Sequence, residues 1–122
     1  MRDEEETLRD HRGLWAFTLS DELVLKVHRC AAGFPALDTY VLGSQLRKAA
    51  LSTASNIVEG CARNSQAEFF HFLDIAMGSA REVEYQLSIA RRLGYQVEPA
   101  TEEAASEVCK TLRGLINSLR SP

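Results

Sequence analysis

Proline is scarce in this chain: three copies in 122 residues, one of them the last residue. Pro35 and Pro99 stand at the edges of long uninterrupted stretches, which excludes many short strands and favours a few long helices. Glycine never clusters, so its seven copies build no phosphate-cradling loop. Cysteine is sparse too. Cys30, Cys61 and Cys109 are odd in number, form no CxxC pair and fall on three different expected helices. They indicate neither a disulfide framework nor a zinc site, and three free thiols fit a reducing cytoplasm. No stretch approaches the ~20 apolar residues of a membrane span, and no signal-type apolar segment follows Met1. The chain is therefore expected to be cytoplasmic, with no membrane partner. Excess positive charge is also missing. A net charge of -3 excludes the usual strongly basic polyanion binder but leaves room for a local basic patch.

What is present is an ordinary globular composition, 45% hydrophobic and 25% charged. A single domain of this length buries roughly two-thirds of its unfolded surface and needs no covalent staple. Residues 1–13 hold five acids and three arginines with no apolar face. They are expected to form a mobile charged segment ahead of one domain over 14–122.

Periodicity divides that domain into four helices. The first, over 14–32, places Trp15, Leu19, Leu23 and Val27 four residues apart. Gly33 suits a left-handed end and Pro35 cannot continue the helix. The second, over 39–61, carries Leu42, Leu46, Ala50, Thr53 and Ile57 and is rich in small residues. Ser65-Gln66-Ala67-Glu68 is a capping box that opens the third. From there Phe69, Leu73, Ala76, Ala80, Val83, Leu87 and Ala90 alternate spacings of four and three, the seam of a bundle helix. Gly94 lies just past its end. The fourth begins near Pro99 and packs Ala105, Val108, Leu112, Leu115 and Leu119. Four amphipathic helices with short connections predict an all-α fold, an antiparallel up-down-up-down four-helix bundle.

On the third helix Phe72, Ile75 and Ile89 lie off the seam, with Ser79 and Gln86 between them. A broad core face would absorb them. A second buried face would instead make them the contact surface for another copy of the chain, and they are the candidate oligomer interface.

No constellation supports catalysis. Glu68-Phe69-Phe70-His71 is half of a di-iron ligand set, yet no second ExxH exists, and the register puts Glu68 and His71 on the outer face. No metal and no cofactor are expected. Arg63 precedes His71 by more than the four to six residues that separate arginine from histidine in helical RNases of the HEPN type. No spacing builds a Cys–His nucleophile. Asn56 and Glu59, late in the second helix, are suited to bonds across the bundle or to the loop after Gly60. Among the cations, Lys26 can pair with Glu22 and Arg63 with Glu59, each four residues apart. Arg29, Arg47 and Lys48 lack such partners and are the candidate nucleic-acid-binding residues.

The stretch from Leu14 to Tyr95, about two-thirds of the chain, resembles the four-helix-bundle proteins encoded in 23S ribosomal RNA intervening sequences. The words that carry the resemblance are Leu14-Trp15, Phe34-Pro35, Gln45-Leu46-Arg47-Lys48-Ala49, Ser55-Asn56-Ile57-Val58-Glu59-Gly60 and Ala62-Arg63-Asn64-Ser65. They continue in order with Glu68-Phe69, Phe72-Leu73, Ala76-Met77-Gly78-Ser79, Glu82, Glu84, Gln86-Leu87 and Leu93-Gly94-Tyr95. His28 stands where the family more often has tyrosine, and Val58 where it usually has alanine. The resemblance implies a small bacterial protein that assembles as a ring-shaped pentamer and supplies no catalytic residues. A distant relative, the accessory protein of diversity-generating retroelements, engages a reverse transcriptase and nucleic acid with a strongly basic surface, which this acidic chain lacks. The expected function is a non-enzymatic homo-oligomeric binding module whose partner is RNA or a nucleoprotein. The alternative is a protein–protein interaction scaffold without nucleic acid, and no small-molecule substrate is evident.

Overall fold

A computed structural model describes residues 10–120, and within them every regular element is helical. A 3-10 turn, His11–Gly13, leads into α1 (Trp15–Ala32). A one-turn helix, Ala36–Thr39, links α1 to α2 (Leu42–Cys61), and α3 (Gln66–Arg92) and α4 (Pro99–Arg120) follow. Of the expected mobile segment, residues 1–9 lie outside the described residues. Residues 10–13 fold into the turn, where the Asp10 carboxylate accepts from the Arg12 backbone at 3.0 Å and His11 packs edge-on against Phe17.

Each long helix packs on two others: α1 and α3 both touch α2 and α4. The pairings run end to start. Arg91, late in α3, donates to Glu102 in the first turn of α4 at 2.9 Å. Arg120, ending α4, donates to Asp74 early in α3 at 3.1 Å. Gly60 near the end of α2 lies against Phe69 and Phe72 at the start of α3, and mid-helix Ser52 meets Ser79.

The α3 seam is buried as its spacing predicts, from Phe69 and Leu73 through Val83 and Leu87 to Ala90. Ser65 caps the helix, its hydroxyl accepting from the Glu68 N–H at 3.1 Å. Beyond Arg92 the Tyr95 N–H reaches the Ala90 carbonyl and the Gly94 N–H that of Arg91, each at 3.0 Å. This Schellman closure places Gly94 at φ 88°, a conformation suited to glycine.

Four expectations need correction. In α1, Trp15 is 63% exposed, and the buried residues are Ala16, Ser20, Leu23, Val27 and Ala31. Each step of four residues advances ~40° around the axis, so a strict run of fours leaves the core face within a few steps. Gly33 has φ -88° and ends α1 without a left-handed residue. The buried Phe34 ring anchors the chain there instead, against Tyr95 at 5.1 Å. The second helix does not begin at 39, because Val41 departs from helical geometry (φ -108°, ψ -83°) and separates two elements. In α4, Ile116 takes the buried position after Leu112, leaving Leu115 and Leu119 half-buried at its margin.

Candidate functional site

The residues that chemistry would use are dispersed. Glu68 and His71 are both exposed on α3, and His71 rests edge-on against Phe72. No three His, Cys, Asp or Glu side chains converge among the described residues. Two of the three thiols are held toward their protonated form. Burial first, then the Glu84 carboxylate, pushes Cys109 to about 11, and burial with Glu98 and Glu102 raises Cys30 as well. A thiol held protonated at neutral pH is a weak nucleophile.

The three candidate nucleic-acid cations do not act alike. Arg29 and Lys48 are exposed. Arg47 is half-buried, and its guanidinium donates to the Thr39 carbonyl at 2.9 Å. That carbonyl lies at the end of the one-turn helix, where backbone acceptors lack intrahelical donors. Arg47 therefore secures the α1–α2 link and is not the free cation that helix-local pairing suggested. The Glu59–Arg63 pair does form.

That link is fastened from several sides. The Thr39 hydroxyl donates to the Ala31 carbonyl at 3.2 Å. The Tyr95 hydroxyl, from the α3–α4 connection, donates to the Asp38 carboxylate, a bond that raises the Tyr95 pKa. Gly43 passes close beneath, where an added Cβ would sit 3.3 Å from the Asp38 carbonyl. With its inner side tied down, the link turns Leu37, Tyr40 and Val41 outward.

The candidate oligomer residues sit along α3. Phe72 is half-buried beneath the Arg63 guanidinium, 5.1 Å from its ring centre. Ile75 is 38% exposed and Ile89 half-buried. Ser79 and Gln86 between them are buried in the α2–α3 seam. There the Ser79 hydroxyl bonds that of Ser52 at 2.8 Å, and Asn56 donates to the Ser52 carbonyl and hydroxyl. Asn56 thus serves the bundle's own packing, while the Gln86 amide oxygen is buried with no donor among the described residues. Two large exposed residues were not evident from the helix seams, Leu51 on α2 and Tyr85 on α3. Their signal in the sequence is an apolar residue directly opposite the core stripe.

Comparison with known proteins places these features in context. A family model described as "23S rRNA-intervening sequence protein" matches residues 13–118. A solved structure, that of a protein of unknown function from the S23 ribosomal protein family of Bacteroides thetaiotaomicron VPI-5482, superposes with a TM-score of 0.76 at 21% identity. The match covers 93% of this chain and 98% of that one. No curated protein matches the chain significantly.

Proposed function

Since the chain belongs to the 23S rRNA-intervening sequence protein family, we propose that it is a non-enzymatic binding module. In this reading it is an up-down-up-down bundle that assembles with copies of itself, as a pentamer by family resemblance, in the cytoplasm. The end-to-start pairings of α2 with α3 and of α3 with α4 support the alternating topology. The observation that carries self-association is the off-seam edge of α3. Ile75, Phe72 and Ile89 remain partly uncovered within one chain although its core is complete without them. Light scattering over a range of concentrations tests this. A multimer is expected, and a chain that stays monomeric at high micromolar concentration overturns the reading.

The partner class that family membership favours is RNA or a nucleoprotein. Binding would run through the exposed Arg29 and would gain strength from its repetition in each subunit. Each phosphate neutralised releases counterions, giving a salt slope near -0.7 per contact for single strands. A salt titration of labelled RNA against wild type and Arg29→Ala is expected to give a shallower slope for the variant.

One observation favours a second reading, a protein scaffold without nucleic acid. Arg47 is committed to the link, which thins the cationic patch on a chain of net charge -3. Absence of RNA binding at low salt, with assembly intact, selects the scaffold.

A further inference from the structure

Two outward stripes, one on α2 and one on α3, run along the surface of the bundle. On α2, positions 44, 48, 51 and 55 run along the side away from the core, continued by the capping residue Val41, with Val41 60% and Leu51 54% exposed about the exposed Lys48. On α3, positions 75, 78, 82, 85 and 89 repeat the same spacing. Here Ile75 and the 63%-exposed Tyr85 flank the exposed Glu82. At Gly78 nothing lies within 4 Å of where a Cβ would be. The two stripes thus share a period and carry single central charges of opposite sign at the same step. Neither Lys48 nor Glu82 has an ionic partner among the described residues.

We propose that copies of this chain join head to tail, the α2 stripe of one copy lying on the α3 stripe of the next, with Lys48 facing Glu82. The proposal rests on the self-association reading and specifies its geometry. A stripe packed on its own equivalent would oppose Lys48 to Lys48 or Glu82 to Glu82, a costly like-charge contact. Pairing unlike stripes removes that conflict and covers Val41, Leu51, Ile75 and Tyr85 together. Because both charges occupy the middle of their stripes, they meet whether the two helices cross parallel or antiparallel. Each copy keeps one free stripe of either kind, so the contact is heterologous and propagates until it closes on itself. Gly78 lets the neighbouring helix come close beside Glu82.

Charge reversal tests this on the full chain, with circular dichroism confirming that each variant stays helical. Lys48→Glu and Glu82→Lys are each expected to weaken assembly by about tenfold or more in dissociation constant, and the double variant to restore it. Singles without effect, a double variant that fails to recover, or a wild type that stops at a dimer overturn the head-to-tail contact while leaving self-association in place. A wild type that is monomeric at high micromolar concentration overturns both.

Discussion

Leu73 and His71 are two residues apart on α3, one without solvent contact and the other facing water. Truncating Leu73 or Leu87 to alanine is expected to cost about 2–5 kcal/mol, because the tightly packed seam cannot collapse onto the space left behind. His71→Ala is expected to change stability by less than ~0.5 kcal/mol. Chemical denaturation of the three variants measures the contrast. Cys109 gives a second test at this scale. Burial pushes its thiol from the ordinary 9.0 up to about 11, so the folded chain holds the proton more tightly. The stability tied to that proton is complete below pH 9 and is lost as pH rises toward 11. Thermal unfolding between pH 8 and pH 11 should fall less steeply for Cys109→Ala than for the parent. Equal slopes would assign the alkaline loss to other groups.

At the scale of the helix, glycines of one chain are expected to respond in opposite directions. An added Cβ at Gly60 would sit 3.0 Å from the Cβ of Phe72, so Gly60→Ala must displace Phe72 by a few tenths of an ångström and is expected to destabilise. Gly114 on α4 has nothing within 4 Å, and alanine there should stabilise by about 0.5–1 kcal/mol through helix propensity alone. Melting temperatures that shifted the same way in both variants would contradict this. The helices were legible to the degree that their patterns were local. The α3 seam, its serine cap and its Gly94 end are all written within one element and stand where the spacing puts them. The first helix misled because Trp15 has the hydropathy of a core residue, and only the neighbouring helices decide which way it faces. The α1–α2 link was illegible for the same reason. Arg47, Thr39 and Tyr95 hold it through bonds spanning 8 to 57 residues, and no local rule connects them. Of the candidate cations, Arg29 and Lys48 are exposed, and the bond from Arg47 to the Thr39 carbonyl is visible only in the fold.

For the molecule as a whole, the decisive property is what one copy leaves uncovered. A glutamate at position 75 would bring charge into a desolvated contact, which is strongly unfavourable. Ile75→Glu is therefore expected to yield a smaller species by light scattering while helicity is retained. The same residue lies outside the core of the single chain, so its effect on the melting temperature of dilute protein should be slight. A variant that unfolds instead would place Ile75 in the core and remove it from the interface.

The clasp between Tyr95 and Asp38 has a further consequence, for how this sequence can lengthen. It ties the α1–α2 link to the α3–α4 connection, so extra residues in either one would pull on both. At the α2–α3 corner Asn64 is exposed, and the cap of α3 begins only at Ser65. Loop closure costs little for added length. A flexible tag inserted after Asn64 should leave the melting curve nearly unchanged, whereas the same tag after Leu37 should broaden and lower it. Newly acquired sequence, whether added by design or by drift, finds a port of entry beside Asn64.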